Sequence, residues 1–228
     1  MIEKKDNVIA IDGPAGSGKS TTARLVAESL GFTFLDTGAM YRALTLKALR
    51  SGLDVVNENE ILSLTKKTNI ELSHKIIRLK ILLDGEDVSG EIRNLNVSNN
   101  VATVAAHPGV RTWLVQLQRQ IGSQGNVVAE GRDVGTVIFP RARLKIFLIA
   151  SIEERAKRRY KELVRKNENV DLDQLAAEIK KRDTLDSSRA SGPLKRADDA
   201  IDLDTTNLTI KQQVDFIVNK WTHENYDR

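Results

Sequence analysis

Residues 13 to 20 read Gly13-Pro14-Ala15-Gly16-Ser17-Gly18-Lys19-Ser20, a complete G-x-x-x-x-G-K-[ST] pattern. A loop of this composition can fold its backbone N–H groups around the phosphates of a nucleoside triphosphate. The helix that follows adds the positive end of its dipole. Lys19 is then placed to bridge the β- and γ-phosphates, and Ser20 to hold the Mg²⁺ that travels with the nucleotide. The chemistry predicted is binding of a triphosphate, and the pattern alone does not say what happens to it.

The arginines narrow the choice. Transfer of a phosphoryl group to a phosphate needs little acid–base chemistry, because a phosphate monoester is already largely dianionic near pH 7. It needs cations that bring two anions together and stabilise the charge spreading over the transferred group. The chain sets an arginine beside each of two glycine-bearing turns, Arg42 after Asp36-Thr37-Gly38 and Arg132 after Glu130-Gly131. It adds Arg155, Arg158 and Arg159 on one predicted helix. On another, Arg182, Asp186 and Arg189 fall at i, i+4 and i+7, a spacing that lines one helical face. Lys157, Lys161 and Lys166 read as the solvated side of the first of these helices.

The elements that position these groups alternate. Val8-Ile9-Ala10-Ile11 is a buried strand before the glycine-rich turn, and Thr21 to Leu30 has helical spacing with Gly31 as its stop. Phe32 to Leu35 is a second strand, followed by a helix to about Arg50 and another over residues 58 to 68. Asn69 to Ser73 and Ile76 to Leu83 alternate with period two, and Asp84-Gly85 supplies a hairpin turn before Glu86-Asp87-Val88. Asn96 to about Gly122 reads as one long helix unless Pro108 splits it. Val127-Val128-Ala129 and Leu144 to Ile149 are buried strands, Ser151 to Lys166 and Leu172 to Asp186 helices, Ala200 to Leu203 a last strand and Ile210 to Trp221 a closing helix. This order predicts an α/β fold: a doubly wound parallel sheet with its site at the strand C-termini, and a small antiparallel insertion. The kinase-type core is expected over residues 1–65 and 96–228, with the insertion at 66–95.

Composition excludes several classes. The 228 residues contain no cysteine, so there is no disulfide framework and no thiol nucleophile, which suits a reducing cytoplasm. No apolar run reaches the length of a membrane span, and Met-Ile-Glu-Lys-Lys-Asp has no signal-peptide core; no membrane association is expected. The formal charge of +4 suits small anionic substrates. The basic patches lack interleaved aromatics, which argues against a nucleic-acid partner. A GTPase is disfavoured, because Asn219-Lys220-Trp221-Thr222 lacks the aspartate of the guanine motif and Asp87-Val88-Ser89-Gly90 lies in the insertion. A motor ATPase would want paired carboxylates after an apolar strand, whereas Val127-Val128-Ala129-Glu130 continues Gly131-Arg132-Asp133. His74, His107 and His223 have no metal-ligand spacing, and Trp113 and Trp221 read as packing residues.

Five stretches in order resemble the successive motifs of bacterial cytidylate kinases, within the P-loop nucleoside monophosphate kinases. They are Asp12 to Ser20, Leu35 to Arg42, Gly85 to Arg93, Gly131 to Pro140 and Glu153 to Arg159, continued by Arg182-Asp183 and Asp186 to Arg189. The resemblance implies ATP-dependent phosphorylation of CMP and dCMP, with Mg²⁺, by a cytoplasmic monomer. It implies that Gly13 to Thr21 wrap the ATP phosphates, and that a lid at about residues 155–170 closes with Arg158 and Arg159. Arg42 and Arg132 would grip the acceptor phosphate, and Thr37 and Tyr41 line its pocket. Arg111 and Asp133 would read cytosine, while Arg182, Asp186 and Arg189 reach the ribose and the transferring group. One position departs: related enzymes place a serine, a base contact, where this chain has Ala102, and the adjacent Thr103 points about 100° away on a helix. A kinase for another nucleoside monophosphate, an ATP hydrolase switch and an ATP-using nucleic-acid module are the alternatives.

Overall fold

The structure is a computed structural model that describes residues 6–75, 78–165 and 170–226. Ile76 of the expected hairpin and residues 166–169 of the expected lid, Lys166 included, lie outside the described residues. The chain divides into two compact units, Met1–Phe34 with Gly125–Arg228, and Leu35–Gln124.

The first unit is built on β1 (Asp6–Asp12), whose Val8, Ile9, Ala10 and Ile11 are all buried. An unbroken apolar run is what a central strand covered on both faces requires. β1 pairs in parallel with Val127–Gly131 (β6) on one side and Ala142–Ile149 (β7) on the other, and β7 pairs in parallel with Ile201–Asp204 (β8). With Thr33–Asp36 (β2) the sheet order is β2-β6-β1-β7-β8. The register sets Asp12 opposite Gly131 and Phe147. The turns that leave β1 and β6 therefore emerge side by side, at the carboxyl edge where open parallel sheets bind ligands. Helices α1 (Lys19–Leu30), α6 (Ile152–Val164), α7 (Leu172–Ser188) and α8 (Ile210–Tyr226) belong to this unit.

The second unit contains α2 (Thr37–Arg50), α3 (Glu58–Thr65), α4 (Leu95–Val104) and α5 (Pro108–Gly122), with an antiparallel sheet of order β3-β4-β5 (Ile70–Lys75, Arg78–Leu83, Glu86–Asp87). Asp84-Gly85 makes the turn between β4 and β5, as its type predicts. Leu44, Ile61, Ile92 and Leu114 form its interior. Arg50 ties the end of α2 to Glu86 at 2.7 Å and to Glu91. The helical stretch from Asn96 to Gly122 is split before Pro108 into two helices. Proline disfavours helical backbone at the residue before it, and His107 is extended at φ −70°, ψ 117°. Pro108 then opens α5 at its first position, where a missing N–H costs nothing.

The start of the glycine-rich loop is fixed by contact. Gly13 has φ +150°, and a Cβ there would sit 2.3 Å from the carbonyl oxygen of Leu148 in β7. No side chain fits between β1's exit and its neighbouring strand. Gly13→Ala should therefore lower stability by roughly 1–3 kcal/mol or more, from overpacking against rigid backbone. Gly31→Ala, at φ +66° with nothing within 4 Å, should cost only the left-handed backbone, about 1–2 kcal/mol. Urea denaturation of both variants checks this, and a smaller loss at Gly13 than at Gly31 would contradict the packing argument.

Candidate active site

The glycine-rich loop runs from the end of β1 to the first turn of α1, with Gly18 as the helix N-cap at φ +95°. The Ser17 hydroxyl donates to the Pro14 carbonyl at 3.0 Å, and the Lys19 ammonium donates to the same oxygen at 2.6 Å. Outer contacts fix the loop's other carbonyls. Arg155 donates to Ala15 O at 3.1 Å, and Arg158 donates to Ser17 O at 3.3 Å. The Thr205 hydroxyl also donates to Ser17 O at 3.0 Å. With the carbonyls of Pro14, Ala15 and Ser17 already bonded, the loop keeps backbone N–H groups to offer an anion. Thr22 in α1 donates to Gln213 Oε1 of α8 at 2.7 Å, which anchors the helix behind the loop. Thr21 and Ser20 are exposed.

Beside the loop, β6 ends in Glu130, a buried carboxylate that accepts from the Ser20 hydroxyl at 2.5 Å. Burial, and after it the repulsion of Arg132, lowers the Lys19 pKa to about 7, against the attraction of Glu130, Asp12 and Asp186. Burial raises the Asp12 carboxyl to about 6, helped by the nearby Asp133 and opposed by N–H donors from Gly135 and Val134.

The turn after β6 carries Arg132 and Asp133, and α7 with the chain just beyond it carries Arg182, Asp186 and Arg189. The structure brings these together. Arg132 Nε donates to Asp186 at 2.8 Å, Arg189 lies 3.9 Å from Asp186, and its guanidinium lies 3.6 Å from Asp133. Burial works against the Asp186 charge, but Arg132, then Arg182 and Arg189, outweigh it and hold the pKa below the ordinary value. Burial likewise opposes the Arg132 charge, and the attraction of Asp186, Glu130 and Asp183 keeps its pKa raised. Arg189 is the residue that ends α7, in extended conformation, rather than a member of its helical face. It reaches the cluster because the chain turns there, not by the i+7 spacing.

Arg158 and Arg159 do not join this cluster. Arg158 is bonded to Ser17 O and to Thr205, and Arg159 pairs with Glu162 of its own helix at 3.2 Å. Arg155, buried, spans Ala15 O, Ala150 O and Asp183. Sequence reasoning gave no role to Glu130, Asp12, Thr205 or Gln213. Glu130 and Asp12 carried a signal, since each is an acid closing a buried strand beside a glycine; Thr205 and Gln213 carried none.

Within residues 35–124, Thr37, Tyr41 and Arg111 are buried. Asp36 caps α2 by accepting from Ala39 N–H at 2.9 Å, and its other oxygen pairs with Arg93 at 3.2 Å. The Arg111 guanidinium stands 5.5 Å over the Tyr41 ring, a cation–π geometry. Arg42 lies along the same turn, one of its terminal nitrogens 3.5 Å from where a Cβ on Gly38 would be. Ala102 and Thr103 are both partly exposed on α4. Residues read as bland have structural partners. Asp87 pairs with Lys80 at 2.8 Å, His107 meets Val55 O, and Trp221 packs edge-on to Phe32 at 5.4 Å with Arg143 over its ring. Among the described residues no helix is long and apolar enough to cross a membrane.

A family model described as cytidylate kinase matches residues 9–223. A cytidylate kinase of Anoxybacillus flavithermus is 50% identical over 217 residues, covering 95% of this chain and 96% of that protein. One of Bacillus pumilus is 52% identical over 209 residues, covering 92% and 93%. Among solved structures, an uncharacterized protein from Eubacterium ventriosum shares the fold at a TM-score of 0.50 and 14% identity, with 93% and 96% of the two chains covered. A match across nearly the whole length, on top of a phosphate loop, an arginine–carboxylate cluster at the neighbouring strand end and the parallel sheet that sets them side by side, places this chain in the cytidylate kinase family.

Proposed function

We propose that this chain transfers the terminal phosphoryl group of ATP directly to the phosphate of CMP or dCMP. The observation that carries the reading is the buried Arg132–Asp186–Arg189–Asp133 cluster at the strand end next to the phosphate loop. Guanidinium groups gathered at the strand end beside the phosphate loop suit a second anion.

In this reading residues 13–21 cradle the ATP phosphates, and Lys19 leaves Pro14 O for the β- and γ-oxygens. Arg132, with Arg42, binds the acceptor phosphate, and Arg182 and Arg189 stabilise the equatorial oxygens as charge spreads over them. Asp186 keeps Arg132 and Arg189 aligned, and the sugar hydroxyls lie within the same group's province. Thr37 and Tyr41 are assigned to the acceptor nucleotide, and Asp133 and Arg111 to its base. No general base is required, because the acceptor is already ionised. Ser20 and Glu130 offer a hydroxyl and a carboxylate at one point, the oxygen donors that Mg²⁺ prefers. When bound there with the nucleotide, the ion would neutralise charge on the β- and γ-oxygens. Arg158 and Arg159, on α6, would have to leave their present partners to act as lid residues. A reducing cytoplasm suits a chain with no cysteine.

A coupled assay for ADP release tests the activity. Release should require CMP or dCMP in addition to ATP, should be far slower with UMP or AMP, and should not respond to RNA. Lys19→Ala should cut kcat by roughly 10²-fold or more with little change in folding. Equal release with ATP alone would replace the kinase reading with a hydrolase.

Base choice rests on Asp133. A carboxylate accepting from the amino group of cytosine rejects the carbonyl that uracil has there, a discrimination of about 1–3 kcal/mol. Asp133→Asn can donate to that carbonyl, so kcat/KM for UMP relative to CMP should rise roughly 10-fold or more. The 3.6 Å approach of Arg189 offers the rival role of holding that arginine. In that case both substrates lose rate together and the ratio stays put.

The lowered Lys19 pKa, about 7 through burial and then Arg132, makes ATP binding a proton-linked step. Above pH 7 the free protein has largely lost this proton, and a triphosphate beside the amine raises the pKa and draws a proton back. Below that pH the amine is already charged. Calorimetry in buffers of different ionisation enthalpy should show uptake approaching about one proton at pH 8–9 and little at pH 6. Lys19→Met should abolish the uptake, and an unchanged uptake would assign it to another group.

A further inference from the structure

The first N–H groups of a helical turn lack partners within it, and an aspartate at the N-cap is the usual side chain to accept from them. The π turn Val134–Ile138 has such an aspartate, Asp133, at its N-cap, yet Asp133 makes no capping hydrogen bond. The two donors go elsewhere. Asp12, at the end of the neighbouring strand β1, accepts from Val134 N–H with Oδ1 at 2.9 Å and from Gly135 N–H with Oδ2 at 2.7 Å. Asp12 is buried, and a Cβ on Gly135 would stand 3.4 Å from Oδ2, so the carboxylate sits tight against this backbone. The Asp133 carboxylate, relieved of the cap, lies 3.6 Å from Arg189 instead.

We propose that Asp12 is a positioning residue for the acceptor end of the site: it caps the turn after β6 from the adjacent strand and so leaves Asp133 for substrate and Arg189. The register supports this, since Asp12 lies opposite Gly131, the residue that opens the Arg132-Asp133 turn. Each of the two N–H groups here has its own carboxylate oxygen. Asparagine would face one of them with an NH₂, and Asp133 would become the nearest replacement cap. Such a switch turns the Asp133 carboxylate back onto its own helix and removes it from the cluster. Asp12 touches no reacting atom in this arrangement and acts through Asp133.

The proposal rests on the reading that Asp133 contacts the nucleoside monophosphate, and the test separates the two. Asp12→Asn, Asp133→Asn and the double variant are compared for kcat/KM toward CMP and KM for ATP, after a thermal melt shows each is folded. Asp12→Asn should lower kcat/KM for CMP by roughly 10-fold or more, the loss expected for one charge-assisted hydrogen bond. KM for ATP should change by a clearly smaller factor, although Asp12 also attracts the Lys19 ammonium; a general loosening of the fold would raise both alike. The double variant should be no worse than about 2-fold below the poorer single variant, because both losses pass through one carboxylate. Multiplicative losses, an unaffected Asp12→Asn, or KM for ATP rising along with that for CMP would overturn the proposal. A normal Asp133→Asn would instead overturn the assignment of Asp133 to the substrate. Should Asp12→Asn not fold, Asp12→Ser keeps one acceptor in a smaller side chain, and the same comparisons decide.

Discussion

A guanidinium and a carboxylate, Arg132 and Asp186, meet 2.8 Å apart with most of both side chains removed from water. Much of the strand-end arrangement follows from keeping that pair matched. Taking either charge out of water costs several kcal/mol, and removing one partner leaves the other uncompensated at about 3–5 kcal/mol. The remedy here is to share. Asp186 faces Arg132, Arg182 and Arg189, and Arg132 faces Asp186, Glu130 and Asp183. Guanidinium groups already held in place by carboxylates can turn donors to a phosphate without having to be assembled when the phosphate arrives, which is what preorganised electrostatic stabilisation means. The same field reaches Lys19, whose ammonium is disfavoured by burial and by Arg132 until an anion is added.

The phosphate loop is shaped from outside. Its carbonyls at Pro14, Ala15 and Ser17 accept from Lys19, Arg155, and Arg158 with Thr205. A backbone whose oxygens are already bonded on one side cannot easily turn them toward an anion, so the N–H groups are committed to the other side. Three of the donors are cations, and the guanidinium of Arg155 also pairs with Asp183 of α7 at 2.6 Å. The helix that presents Arg182 and Asp186 is thereby tied to the glycine-rich loop. Arg158, which the resemblance implies as a lid residue, bonds here with Arg155 to the carbonyls of the loop.

The sequence by itself determined the strands, the phosphate loop and the family. β1, β6 and β7 could be read because strands covered on both faces must be apolar throughout, and the loop because only glycine tolerates its backbone. The Asp84-Gly85 turn was legible because local chemistry dictates it. What only the tertiary structure decided is which of several equivalent charges meets which. Arg158 and Arg159 are neighbours on one helix; the first lands on the phosphate loop and the second on Glu162. Nothing in a linear pattern distinguishes an arginine whose partner is a backbone carbonyl many residues away. The break before Pro108 depended on whether helix could survive at His107, and the extended backbone there decided it. The roles of Asp12 and Glu130 required the parallel register that sets β1 beside β6. An acid at a strand end is a common feature of a sequence, and only the strand beside it gives that acid a donor to accept from.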